Sequence, residues 1–235
     1  MSGHSKWSTI KREKGAKDAK RGAVFTKIGN LIAIAARQGT DPLSNSALAL
    51  AIEKAKQANM PNNNIQRAID RVSDKNASIL EEITYEAYGP GGIGIIIETA
   101  TDNRNRTLPI IKNTLTKNGG RIADSGSVLF QFDRKGVIQV EASGEDALLT
   151  ILESGATDAI EIENEIIVYT KQKDLAKVRE VLIESGLNVK NAELQYIANT
   201  AVKIDDIQTE AKMIKLLDAL DDLDDVVNIH TNALD

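Results

Sequence analysis

The chain contains no cysteine among its 235 residues, which excludes disulfides, thiolate metal sites and a cysteine nucleophile. Histidine is almost as scarce. His4 and His230 are the only two, and neither sits in an HExxH, a nucleophile elbow or a metal-ligand cluster, so an enzyme, a metal and a cofactor are not expected. No apolar run approaches the roughly 18 residues of a membrane span. The N-terminus lacks the apolar core and cleavage site of a secretory signal, and Glu13 and Asp18 argue against a transit peptide. The expectation is a cytoplasmic protein without a membrane partner.

Charge is plentiful and unevenly placed. The chain as a whole carries a net −5, yet its first 27 residues hold Lys6, Lys11, Arg12, Lys14, Lys17, Lys20, Arg21 and Lys27 against two acids. Residues 1–75 contain 14 Lys/Arg and 6 Asp/Glu, a balance of +8, and the remainder contains 15 against 28, a balance of −13. Such asymmetry points to a polyanionic partner for the basic part, with the acidic part repelling phosphate elsewhere. Lysine and arginine at this density supply sequence-independent attraction to phosphates. Trp7 lies among them in a segment with few core-forming residues, which suits stacking on an unpaired base. Gly15 and Gly22 interrupt a continuous helix, so the arm is expected to order on binding.

Helical spacing predicts three helices after the arm, at 26–38, at 45–58 and from Asn62–Asn64 onward, with Met60-Pro61 as a break. Residues 1–80 are therefore a basic arm with a small helical domain, ending in a polar linker at 75–82. The pattern then changes to strands. ITYEAY (83–88), a GPGG turn and IGIIIETAT (93–101) read as a hairpin. GPGGIG lacks the GK[ST] ending of a phosphate loop and is followed by a strand rather than a helix. Residues 134–198 follow the order βαββαβ, a ferredoxin-like unit. The flanking segments repeat that order with strands at 93–101, 127–132, 200–204 and 225–230 and helices at 107–118 and 207–220. The expected fold is α+β: an N-terminal helical domain, then two ferredoxin-like domains, 134–198 being inserted in 81–133 plus 199–235.

TDNRNRT (101–107) places Arg104 and Arg106 where a strand meets a helix. Pro109 favours a helix start near Thr107, which would leave both arginines at the positive end of the helix dipole, a cost that an anionic ligand offsets. Bonding to neighbouring carboxylates such as Glu98 or Asp102 is the alternative. The acidic run Asp218, Asp221, Asp222, Asp224 and Asp225 lacks the spacing and glycine of a calcium loop and reads as a solvated helix end.

MSGHSKW, FTK with AAR, AIEKAKQANMP (51–61), EEITYEAYGPGG, TDNRNRT, KNGG and GSV together resemble the YebC family, also called the PmpR or mitochondrial translational-activator family. The resemblance runs nearly end to end. It implies three domains around a negatively charged cleft and a regulator that binds DNA or acts on the ribosome, without catalysis. Ala23, Ala47 and Ala49 stand where many members have basic residues, and Ala87 and Ala123 where many have glycine. The loss of charge on the second helix shifts the expected nucleic-acid contacts to the arm and to Arg104 and Arg106. The expected function is a ribosome-associated translation factor relieving stalls on proline-rich stretches, with ribosomal RNA or tRNA as ligand. A DNA-binding transcriptional regulator is the alternative, and a ligand-sensing or protein-assembly module is the reading from another class.

Overall fold

The computed structural model describes residues 18–74 and 77–234. The chain forms an α+β fold divided into two compact units, one made of residues up to 132 with those from 198 onward, the other of residues 133–197.

The first unit begins with three helices, α1 (Asp18–Ala36), α2 (Ser46–Gln57) and α3 (Asn62–Asp70). Ile28, Ile32, Leu48, Ala55, Met60, Ile65 and Ile69 form their shared core. Asn45 joins two of them. Its carboxamide oxygen accepts from Leu48 N at 3.1 Å as the N-cap of α2, and its nitrogen donates to the carbonyls of Ala35 at 2.8 Å and Gly39 at 2.7 Å. The helix expected from residue 26 already runs at Asp18, through Gly22. A glycine inside a helix costs only about 0.5–1 kcal/mol relative to alanine, which the packed remainder of α1 offsets.

Strands β1 (Glu81–Tyr88) and β2 (Gly94–Thr101) form the expected hairpin. GPGG closes it, with Gly91 and Gly92 both at φ +74°, where a side chain would be strained. Then follow α4 (Arg104–Lys117), β3 (Arg121–Ile122) and, beyond the second unit, β8 (Val202–Lys203), α7 (Ile207–Asp221), β9 (Val226–Thr231) and β10 (Ala233–Leu234). The main sheet has the order β3-β1-β2-β9. Ile95, Ile97, Ile229, Ile111, Leu115, Leu216 and Leu220 build the core between this sheet and helices α4 and α7.

The second unit runs β4 (Phe132–Glu141), α5 (Glu145–Glu153), β5 (Asp158–Ile162), β6 (Glu165–Lys171), α6 (Leu175–Glu184) and β7 (Asn188–Ala198), with sheet order β5-β6-β4-β7. This is the ferredoxin-like βαββαβ order. Ile138, Val140, Ile166 and Val168 are buried on one face of its sheet, and Val137, Ile167 and Tyr169 cluster with Ile197 on the other.

The two sheets share a pattern. In each, the strand before the first helix (β2, β4) lies beside the last strand (β9, β7), and the strand after that helix (β3, β5) sits two places away. In the second unit the intervening place belongs to β6. In the first it belongs to β1, not to the strand expected at 127–132. That segment contains a short 3-10 turn at Leu129–Gln131 instead. The cause is Glu86, only 6% exposed, whose carboxylate accepts from Gly126 N, from Val128 N at 2.6 Å and from Leu129 N at 2.7 Å. Amide groups bonded to a carboxylate are not available to a strand ladder. The strand expected at 200–204 shrinks to β8, which pairs in parallel with β10 in a separate two-stranded sheet.

Candidate nucleic-acid interface

The junction between β2 and α4 holds the two arginines singled out above. Asn103 is the N-cap of α4, its side-chain oxygen accepting from Arg106 N at 3.1 Å. The helix therefore starts at Arg104, three residues earlier than Pro109 had implied. Pro109 costs the bond to the Asn105 carbonyl, but Asn105 and Pro109 are both exposed, so that carbonyl meets water.

Arg106 is half-exposed but tied to two carboxylates. Its Nη2 lies 3.0 Å from Asp102 Oδ1 and 3.4 Å from both Asp225 oxygens. The hydroxyls of Thr107 and Thr101 converge on Asp225 Oδ2 at 2.6 and 3.2 Å, and the Ser78 hydroxyl donates to Asp102 Oδ2 at 2.8 Å. The hydrogen bond and charge of Asp225 raise the Arg106 pKa, with Asp102 adding to them. The Ser78 hydroxyl holds the Asp102 carboxyl below its usual range, helped by the Arg106 charge against an opposing effect of burial. Pairing with a neighbouring carboxylate, the alternative raised for these arginines, thus describes Arg106.

Arg104 is different. It is exposed, and among the described residues it has no hydrogen-bond or ion-pair partner. Its charge reaches the Tyr85 phenol, whose pKa is raised by burial, opposed by Arg104 and reinforced by Asp225.

The basic arm is partly in view. Lys6, Trp7, Lys11, Arg12, Lys14 and Lys17 lie outside the described residues. Lys20 belongs to α1, and Arg21 is exposed on it. Lys27 is turned inward. Its side chain is 12% exposed, and Nζ bonds the carbonyl of Asp221 and lies 3.4 Å from its Oδ1. Asp221 is the last residue of α7, so the ammonium sits at the negative end of that helix. The acidic run read as a solvated helix end is thus partly structural, since Asp221 binds Lys27 and Asp225 anchors the junction. No group of His, Asp and Glu suited to a metal ion occurs among the described residues. Among them, too, no helix is long and apolar enough to cross a membrane.

These features define an α+β protein with a basic N-terminal helical region and an exposed arginine at a strand–helix junction. Family models described as "TACO1/YebC protein N-terminal domain" and "TACO1/YebC second and third domain" match residues 5–75 and 80–233. The chain belongs to the TACO1/YebC family. It is 46% identical to a "probable transcriptional regulatory protein" of Moorella thermoacetica, over 99% of this chain and 95% of that one. It is 48% identical, with the same coverage, to a protein of the same name from Rubrobacter xylanophilus. The crystal structure of a conserved hypothetical protein from Aquifex aeolicus superposes with a TM-score of 0.86 at 40% identity, covering 94% of each chain.

Proposed function

We propose that this protein is a non-enzymatic, nucleic-acid-binding regulator of gene expression that acts on the ribosome, with structured RNA (ribosomal RNA or tRNA) as its ligand, and relieves stalling on proline-rich stretches. The observation that carries the nucleic-acid part is the division of charge, +8 in residues 1–75 against −13 in the rest. An acidic body beside a basic arm favours a partner that offers phosphate locally over a long uniform duplex. α3, the second helix of the closely spaced α2–α3 pair, carries a single cation, Arg67, which gives little purchase on a major groove. Arg104 adds a guanidinium fork that bonds two phosphate oxygens at once. The translational role rests on the family resemblance.

A DNA-binding transcriptional regulator is the second reading, favoured by the names of the relatives. Ribosome co-sedimentation with crosslinking, run beside duplex-DNA binding at the same salt, separates the two. The translational reading expects crosslinks to ribosomal RNA or tRNA. Sequence-selective duplex binding without ribosome association would refute it.

A further inference from the structure

A cleft of about 180 Å³ opens where α1 meets the turn after α3 and the segment leading into β1. Ala33, Arg37, Arg71, Val72, Asp74 and Ile79 supply its chemistry. Two guanidiniums share it, and neither has a carboxylate partner among the described residues. Arg37 donates only to the carbonyl of Leu80, at 2.8 Å. Arg71 donates to Asn30 Oδ1 at 3.4 Å and to the Ser78 carbonyl at 3.5 Å. A guanidinium has five N–H donors, so most of theirs remain available to a ligand. Val72 and Ile79 flank them as apolar surface, 39% and 68% exposed.

Two hydrogen bonds brace the lining of the cleft. Arg37 ties down Leu80, and the hydroxyl of Ser78, also in the lining, is bonded to Asp102, the residue two before Arg104. The cleft's volume is below the roughly 300 Å³ at which drug-sized pockets begin, a size for one planar group rather than a whole cofactor.

We infer that this cleft receives a single unpaired guanine base of a bound RNA. The inference rests on the nucleic-acid reading above and deepens it. Guanine presents O6 and N7 as acceptors to an arginine fork. Adenine lacks the O6 acceptor and places a donor there, against the guanidinium. Apolar and guanidinium surfaces stack on the base faces, the mode by which proteins take up splayed-out RNA bases.

The test uses the full chain and four labelled single-stranded RNA decamers, uridine throughout except for one central G, A, C or U, titrated by fluorescence anisotropy. The G decamer should bind at least about fivefold more tightly than the others, the lower end of what one good bidentate pair contributes. Arg37→Gln and Arg71→Gln should each erase that preference, read as the ratio of G-decamer to all-U affinity within each variant. Equal affinity for all four RNAs, or a G preference that survives both substitutions, would overturn the cleft assignment while leaving RNA binding standing. Absence of binding to every decamer would overturn the cleft assignment, while the nucleic-acid reading stands or falls by the ribosome crosslinking and duplex-DNA binding described above.

Discussion

Replacing Glu86 by glutamine asks whether a single buried charge keeps residues 126–129 out of the sheet. The carboxylate serves Gly126 N through one oxygen and Val128 N and Leu129 N through the other. Glutamine has one acceptor oxygen. With that oxygen toward Val128 and Leu129, its NH2 group faces the Gly126 amide, donor against donor. One buried amide left unsatisfied costs about 1–3 kcal/mol, and a 2 kcal/mol loss lowers the melting temperature of a unit this size by roughly 4–8 °C. The effect should depend on pH in a defined direction. Burial works to raise the Glu86 pKa, but the three amides together outweigh it and hold it below the ordinary value. A depressed folded-state pKa means that the stabilisation is fully present above the unfolded-state value of about 4.3 and is lost as pH falls through the folded one. Urea denaturation at pH 7 and at steps down to pH 3 should show the gap between wild type and Glu86→Gln narrowing below about pH 4.3. Hydrogen exchange at Gly126, Val128 and Leu129 should quicken in the variant at neutral pH. A gap of constant size across this range would refute the reasoning, since the charge would then not be what binds the segment.

The two junction arginines should separate on substitution: Arg104→Ala should lower RNA affinity and reduce the log–log salt slope by about 0.7 at an unchanged melting temperature, while Arg106→Ala should lower the melting temperature. An Arg104→Ala protein that melts early would contradict this assignment. Lys27→Met keeps the apolar stem but removes the ammonium from the end of α7, so thermal stability should fall while the salt slope stays as in wild type. Asn45→Ala should destabilise the helical region by about 0.5–2 kcal/mol for the lost cap, and by more if the Ala35 and Gly39 carbonyls stay dry; chemical denaturation measures the sum.

Local signals carried the elements whose partners are close in sequence. The alternation in 83–88 and the apolar run 93–101 mark a hairpin because each strand's neighbour is four residues away across GPGG. Residues 133–197 were legible for the same reason, each helix packing on strands beside it in the chain. The misses have distant causes. Residues 127–132 have a strand's composition, yet the amides of Val128 and Leu129 go to a carboxylate some 40 residues earlier. Arg104 and Arg106 look alike in TDNRNRT, and what separates them is Asp225, 119 residues beyond Arg106. Lys27 sits in a run of cations and differs from them only through Asp221, 194 residues later. Arg37 and Arg71, which share the cleft, lie on separate elements, and neither stands out by composition or spacing.

The central claim is that the basic N-terminal region binds RNA through its phosphates. The most direct measurement is the salt dependence of single-stranded RNA affinity, for the full chain and for one lacking residues 1–17. Those residues include Lys6, Lys11, Arg12, Lys14 and Lys17. At about 0.7 per neutralised phosphate on a single strand, their removal should flatten the log–log slope by up to about 3.5 and weaken binding most at low salt. A slope that is the same with and without the arm, or binding that is indifferent to salt, would contradict the account.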